Sequence, residues 1–421
     1  MNYSLPRIRD LDFSVAAPPS KSYTHRAFVT AALANKESTI RFPLLADDTL
    51  LTMQALTRLG VPVTHTAERV TIRGCDGQFD AGKNTVLDLG NSGTSLRLLT
   101  TLALLARDPV TLTGNARMQK RPIGHLTDTL RTLGGQITFL HDEGYPPFTV
   151  SGSLSGGPAT IDGSVSSQFI SSILIAAPYA AREIDLVVST PPASRSYLDI
   201  TLEVMRAFGA EITRQAYTQF RVSTQHRYQS RTYAIEGDYS SASYFFAMAA
   251  ICGGKSTVTR LNPASAQGDR AFLDALTRMG CSVRYDKDSV SVERIIPLKG
   301  ITVDMSAAPD TVQTLCMVAA VAGTPTTITG ISHLKFKESD RILSTAENLR
   351  RLGGDVTCGN DWITIRPAPL HGGTIDPFAD HRTAMSFAVL GLGIGGVTIL
   401  DTDCVTKSFP AFWDILKGVT G

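Results

Sequence analysis

The stretch Phe246–Leu261, FAMAAICGGKSTVTRL, decides the fold of this chain, because the same pattern is written six times. An apolar, Ala/Leu-rich run leads into a break of Gly, Asn or charged residues, and a β-branched run follows. The other copies are Ala27–Phe42, Leu102–Thr113, Ile173–Val188, Cys316–Ile331 and Phe387–Leu400. Between copies stands a second signature, an amphipathic stretch that closes on glycine. It reads Leu56-Thr-Arg-Leu-Gly60, Leu130-Arg-Thr-Leu-Gly134, Met205-Arg-Ala-Phe-Gly209, Leu276-Thr-Arg-Met-Gly280, Leu349-Arg-Arg-Leu-Gly353 and, degraded, Ile415-Leu-Lys-Gly418. These glycines lie 74, 75, 71, 73 and 65 residues apart. A repeat of this kind settles the architecture ahead of any motif.

The first helix of each unit is apolar all round, which predicts burial on every side. The second is amphipathic, with Leu126, Leu130 and Leu133 on one face. Its glycine stands where a left-handed C-cap belongs. Strand-like runs such as Phe148–Ser151 and Ser289–Val292 follow. Each unit is therefore about 70 residues of mixed α/β structure, too long for a solenoid repeat and too short for a large independent domain. Six units predict two domains of three. The boundary falls near Ala234–Asp238. The leading strand, Asp12–Ala17, precedes the first helix and belongs with the second half, so the domains are read as 1–18 plus 236–421 and 19–235.

Composition excludes more than it assigns. Hydrophobic residues make up 43% and charged residues 19%, ordinary for a globular chain with a substantial core. A net charge of +2, with no basic tract interleaved with aromatics, argues against nucleic acid as a partner. No segment has transmembrane length free of polar residues, and the N-terminus lacks a signal-peptide pattern. The six cysteines form no CxxC and no Cys/His metal spacing, which fits a reduced, cytoplasmic protein without a metal.

The unusual polar residues gather at two places in the repeat. One is the start of each buried helix: Ser20-Lys21-Ser22, Asn91-Ser92-Gly93-Thr94, Ser166-Ser167-Gln168, Asp238-Tyr239-Ser240-Ser241, Asp310 and Asp380-His381-Arg382. The other is the loop after each β-branched run, with Asp47-Asp48, Arg117 to Arg121, Ser194 to Tyr197, Asp269-Arg270, Lys335 to Arg341 and Lys407. Singly, Ser, Asp and Asn at helix starts are ordinary N-caps. If the units stack about an axis, however, the helix N-termini of a domain share one face and their dipoles favour an anion there. The chain adds Lys21, Arg26, Arg97, Arg121, Lys337, Arg341, Arg382 and Lys407. Lys21 and Arg382 at helix starts oppose the dipole, so they are poor choices for stability and good ones for an anion site. Gly93 admits a ligand close to the backbone, but the sequence around it is not a P-loop. Glu338, between Lys337 and Arg341, is placed for a carboxylate with a tuned proton affinity.

At these residues the chain resembles the 5-enolpyruvylshikimate-3-phosphate (EPSP) synthases, of the enolpyruvyl transferase family. The likeness runs through Pro19-Ser-Lys-Ser22 with Arg26, Leu89-Gly-Asn-Ser-Gly-Thr94 with Arg97, Arg117-Met118 with Arg121-Pro-Ile-Gly124, and Ser164-Val-Ser-Ser-Gln168. It continues through Glu236-Gly-Asp238 with Ser240-Ser-Ala-Ser-Tyr244, Pro309-Asp310, Lys337-Glu-Ser-Asp-Arg341, Asp380-His-Arg382 and Lys407-Ser-Phe-Pro410. The resemblance implies an α/β fold of two domains. Each would hold three repeated units with parallel helices buried and sheets outside, and the active site would lie in the cleft between domains that close on substrate.

It also implies transfer of the enolpyruvyl group of phosphoenolpyruvate to the 5-hydroxyl of shikimate 3-phosphate with release of phosphate. The partners would be these two small molecules, with no cofactor, no metal and a monomeric chain. By resemblance, Lys21, Ser22, Arg26, Ser166, Ser167, Gln168, Ser194, Tyr197, Asp310, His333 and Lys337 hold shikimate 3-phosphate. Lys21, Gly93, Arg121, Gln168, Arg341, Arg382 and Lys407 hold phosphoenolpyruvate, the arginines through bidentate forks that a lysine lacks. Asp310 is the candidate base at the hydroxyl, and Glu338, with Lys21 assisting, the candidate acid and base at the methylene carbon. Ringed by cations, Glu338 would be a poor acid unless burial or the substrates' charge raised its proton affinity.

Three departures stand out: His333 in place of a frequent Asn, Leu98 in place of a common Pro, and the bulkier Tyr23-Thr24-His25. The competing readings are the sister transferase acting on UDP-N-acetylglucosamine and a phosphate-binding scaffold without chemistry. The first usually carries Cys or Asp in the loop that here is Gly114–Lys120, which has neither; the second is at odds with Lys21, Asp310, Glu338 and the arginines all being present.

Overall fold

The computed structural model describes residues 1–420 as an α/β protein. The chain divides into two compact units, Pro19–Ile235 and, together, Met1–Pro18 with the stretch from Glu236 onward. The first carries α1 (Lys21–Leu33), α2 (Asp47–Arg58), α3 (Gly93–Leu102), α4 (Gly124–Thr132), α5 (Ser167–Ala176) and α6 (Ser196–Ala207). The second carries α7 (Tyr239–Cys252), α8 (Ala271–Met279), α9 (Val312–Ala320), α10 (Arg341–Arg351), α11 (His381–Ile394) and α12 (Phe412–Thr420). No helix among the described residues is long and apolar enough to cross a membrane.

Odd-numbered helices are the buried ones. Every residue of α7 is buried, as is α1 from Tyr23 onward. Small side chains let these helices approach, and hydroxyls link them. Thr101 on α3 meets Ser172 on α5 at 2.6 Å, Ser243 on α7 meets Thr314 on α9 at 3.3 Å, and Thr314 meets Ser386 on α11 at 3.3 Å. Each pair is 71 or 72 residues apart, one repeat length. The partners advance together along the helices, Thr94 with Gln168 and then Thr101 with Ser172, Gln313 with Thr383 and then Thr314 with Ser386, so α3 and α5 run parallel, as do α9 and α11.

The sheets repeat as faithfully. Thr85–Asp88 pairs parallel with Val110–Thr113, which pairs antiparallel with Phe148–Gly152, and that in turn with Gly135–Phe139. The buried helix is the crossover that the parallel pair requires. Inward positions are apolar: Val70 and Ile72 are buried while the flanking Arg69 and Arg73 are exposed. Two sheets borrow their parallel edge strand from far along the chain. Leu11–Ala16 joins Gly254–Thr259, and Thr232–Ala234 joins Glu37–Arg41. The leading strand thus pairs in the second half. Among the described residues the sixth repeat has no closing hairpin; Tyr3–Leu5 pairs antiparallel with Val397–Ile399 instead.

The amphipathic helices end as their glycines require at five positions, Gly60, Gly134, Gly209, Gly280 and Gly353, all at positive φ. The sixth differs. Gly418 lies inside α12, which runs on to Thr420, so it is not a C-cap.

Candidate active site

In the unit Pro19–Ile235 the first turns of α1, α3 and α5 lie side by side, as the parallel packing dictates. Lys21 opens α1, and its ammonium lies 3.2 Å from the carboxylate of Asp48, a buried residue on α2. That pairing offsets the unfavourable helix dipole. Gln168, in the first turn of α5, donates through Nε2 to Thr94 Oγ1 at 2.9 Å and accepts from Arg97 Nη1 at 2.7 Å, so it bridges to α3. Arg121 precedes α4 and reaches back to the start of α3, where Nη1 donates to the Asn91 carbonyl at 3.2 Å. Its guanidinium lies over Gly93 so closely that a Cβ there would be 2.5 Å from Nη2. A glycine is therefore required for this stacking of cation on helix start.

Capping accounts for only part of these helix starts. Ser166 caps α5, accepting from Gln168 N at 3.3 Å, but Ser20 and Ser92 make no side-chain cap bond to α1 and α3. Ser167 is buried beside Ser166. Ser194, at φ 57°, lies two residues before α6, and Tyr197 is in its first turn. Arg26 is the anchor beneath them. Its guanidinium donates to the carbonyls of Ser22 and Tyr197, to Thr201 Oγ1 at 2.7 Å and to Ser171 Oγ at 3.4 Å. Burial lowers its pKa to about 10, still charged at neutral pH. Arg26 is enclosed and ties α1, α5 and α6 together.

In the other unit the loop before α10 meets the starts of α9 and α11. The Arg341 guanidinium, 2% exposed, is fully employed. Its Nε donates to Asp380 Oδ2 at 2.8 Å, Nη1 to Asp310 Oδ1 at 3.0 Å and Nη2 to Glu338 Oε2 at 2.8 Å. Burial works against the charge, but Asp380, Glu338 and Asp310 outweigh it and hold the pKa above its ordinary value. Arg382 donates through Nη2 to Asp310 Oδ2 at 2.8 Å and through Nη1 to the Asp310 carbonyl at 3.1 Å. Lys407 Nζ stands 3.6 Å from Glu338 Oε1. Asp310 thus bridges two guanidiniums, and Glu338 is shared between Arg341 and Lys407. A buried group of this kind holds together only when each charge is matched.

Around this network, Asp340 caps α10, accepting from the amides of Ile342 and Leu343 at 3.1 Å, so it is a structural residue. Asp380 caps α11 through Arg382 N at 3.0 Å while binding the Arg341 fork. His333 is buried, and burial, with help from Lys337 and Arg341, pushes its pKa down to about 3 against the pull of Asp310. It is neutral. Asp269 accepts from Ser240 Oγ at 2.8 Å. Burial and the charge of Asp310 push its carboxyl up to about 7, opposed by Arg382. Among the described residues no cluster of three or more His, Cys, Asp or Glu could hold a metal.

Reading the sequence marked the cations and missed their partners as partners. Asp48 and Asp380 lie 27 and 39 residues from the charges they hold. The available signal was that each stands at the start of a helix in the same repeat position as a cation.

A family model described as EPSP synthase (3-phosphoshikimate 1-carboxyvinyltransferase) matches residues 6–416. A protein of Methanoregula boonei named 3-phosphoshikimate 1-carboxyvinyltransferase is 62% identical over 419 residues, covering 100% of both chains. One of that name from Escherichia coli is 41% identical over 421 residues, with 99% of this chain and 98% of the relative covered. The solved structure of an EPSP synthase from Acinetobacter baumannii superimposes with a TM-score of 0.83 at 28% identity, covering 100% of this chain and 98% of that one. With the repeat, the parallel helix starts and the arginine–carboxylate network all in place, the chain belongs to the EPSP synthase (3-phosphoshikimate 1-carboxyvinyltransferase) family.

Proposed function

We propose that the helix starts of the two units serve one reaction, the transfer of the enolpyruvyl group of phosphoenolpyruvate to the 5-hydroxyl of shikimate 3-phosphate. The products are 5-enolpyruvylshikimate 3-phosphate and phosphate, a step of the shikimate pathway toward chorismate and the aromatic amino acids. The observation that carries this reading is the placement of Asp310 and Glu338 against Arg341, Arg382 and Lys407. The reaction needs carboxylates that exchange protons beside cations that bind a phosphorylated carboxylic acid.

In this reading Lys21, Ser22, Arg26, Ser166, Ser167, Gln168, Ser194, Tyr197, Asp310, His333 and Lys337 hold shikimate 3-phosphate, and Arg26 also ties α1, α5 and α6 together. Neutral His333 can donate or accept a hydrogen bond, as an Asn would. Lys21, Gly93, Arg121, Gln168, Arg341, Arg382 and Lys407 receive phosphoenolpyruvate. Asp310 takes the proton of the 5-hydroxyl as its oxygen attacks C2. Glu338, with Lys21, gives a proton to C3 and forms the methyl group of a tetrahedral intermediate. The C2–O bond to phosphate then breaks, phosphate leaves, and a methyl proton returns to the carboxylate to restore the double bond.

The ion pairs explain how a carboxylate ringed by cations becomes an acid. Without substrate, Asp310 and Glu338 are the counter-ions of the guanidiniums. The carboxylate and phosphate of phosphoenolpyruvate compete for the same donors. As they take them, Asp310 and Glu338 lose their counter-ions beside new negative charge, and their proton affinity rises. That is the direction general acid–base catalysis needs.

Asp310→Asn keeps the shape and one acceptor while removing the base. Phosphate release from phosphoenolpyruvate with shikimate 3-phosphate is expected to fall about 10²- to 10⁴-fold, with the circular dichroism spectrum unchanged. Turnover near that of the wild type would take Asp310 out of the chemistry.

A further inference from the structure

We infer that a buried chain of side chains, His25–Thr52–Ser95–Ser92, positions the phosphoenolpyruvate half of the site. The inference rests on the reaction proposed above. His25 Nδ1 lies 2.8 Å from Thr52 Oγ1, Thr52 Oγ1 lies 2.7 Å from Ser95 Oγ, and Ser95 Oγ lies 2.6 Å from Ser92 Oγ. All four residues are fully buried. They come from α1, α2 and the start of α3, so the chain crosses three helices beneath the face that carries Lys21 and Gly93.

Each link joins two groups able to donate or accept, so the chain is hydrogen-bonded at every step. The Asp48 carbonyl lies 3.1 Å from Ser95 Oγ and 3.5 Å from Thr52 Oγ1, and it accepts from the chain at its middle.

Two members of the relay adjoin residues of the proposed site. Ser92 is the N-cap residue of α3 and precedes Gly93, yet it makes no cap bond to its own helix. An N-cap serine ordinarily accepts from an amide of the first turn, as Ser166 does on α5. Ser92 is turned inward to Ser95, which leaves the first-turn amides of α3, under the Arg121 guanidinium, uncapped by their own serine. Midway along the relay, the Asp48 carbonyl lies 3.1 Å from Ser95 Oγ, and the Asp48 carboxylate holds Lys21 at 3.2 Å. One relay thus sets the start of α3 and, through Asp48, the ammonium of Lys21. His25, Thr52, Ser95 and Ser92 are positioning residues, since none is placed on the reacting atoms.

Thr52→Val keeps the volume and removes the link, whereas Thr52→Ser keeps the hydroxyl. Loss of one such hydrogen bond is expected to raise KM for phosphoenolpyruvate about tenfold. KM for shikimate 3-phosphate should rise less, about two- to threefold, since of the residues assigned to it the relay reaches Lys21 alone, and Thr52→Ser should restore the wild-type ratio. His25→Asn, which retains a hydrogen-bonding group near Nδ1, should behave like the wild type and His25→Leu like Thr52→Val. Equal increases in both KM values, or a lower Tm with both KM values unchanged, would reduce the relay to packing and overturn the inference. If the wild type itself releases no phosphate from this substrate pair, the assigned reaction fails, and amide hydrogen exchange tests the relay separately. Thr52→Val should speed exchange in the first turn of α3 and leave its last turn unchanged; unchanged exchange throughout α3 would overturn the relay too.

Discussion

At the scale of single residues, the site is a set of charges in places where stability alone would not put them. Lys21 and Arg382 at helix starts were legible for that reason. Their partners were not, because the pairing of Arg341 with Asp380 spans 39 residues and depends on how α10 and α11 pack. Arg26 could be marked in the sequence as a cation at a helix start, but its bonds to Ser22, Tyr197, Ser171 and Thr201 come only from the packing of α1, α5 and α6. His333 could be placed by sequence but not protonated, since its charge is set by burial. With its folded pKa near 3, below the ordinary 6.5, the folded chain binds fewer protons than the unfolded one as pH falls through that interval. His333 thus contributes stability above pH 6.5 that is lost as pH falls toward 3. Thermal melts at about pH 7.5 and about pH 5 should show a smaller loss of Tm for His333→Gln than for the wild type; equal losses would contradict a neutral, buried imidazole.

At the scale of elements, the repeat read from Phe246–Leu261 gave both the buried helices and the strand that follows each. It worked because burial on all sides and left-handed termination leave strong local marks. It failed at the last copy, where Gly418 is interior to α12 and no hairpin follows. There the missing partner strand comes from Tyr3–Leu5, which no local pattern could announce. The glycine ends make the cost of termination measurable. Gly209 has φ 95° and open surroundings, a new Cβ meeting nothing nearer than Gln229 Cγ at 3.5 Å. Gly209→Ala should therefore cost only the left-handed strain, about 1–2 kcal/mol. At Gly60, φ 86°, a Cβ would lie 2.6 Å from the Asp80 carbonyl oxygen, so Gly60→Ala should cost distinctly more. Urea unfolding of the two variants measures the difference, and equal losses would mean that backbone crowding adds nothing.

At the scale of the molecule, the order of strands makes two compact units from one chain that passes between them twice. Leu11–Ala16 pairs in the second half, and Thr232–Ala234 completes a sheet begun at Glu37. Each unit supplies a different part of the chemistry in the proposed reaction: Lys21, Gly93 and Arg121 from one, Asp310, Glu338, Arg341, Arg382 and Lys407 from the other. Six repeats suggest two sets of three from the sequence alone; the network of Asp310 and Glu338 leaves no such mark, because its members are brought together only by the packing of α9, α10 and α11. The measurement that bears most directly on the whole is phosphate release from phosphoenolpyruvate, supplied with shikimate 3-phosphate, with UDP-N-acetylglucosamine, or alone. Release only with shikimate 3-phosphate is the predicted result; release with the nucleotide sugar, or none from the folded protein with any combination, would contradict it.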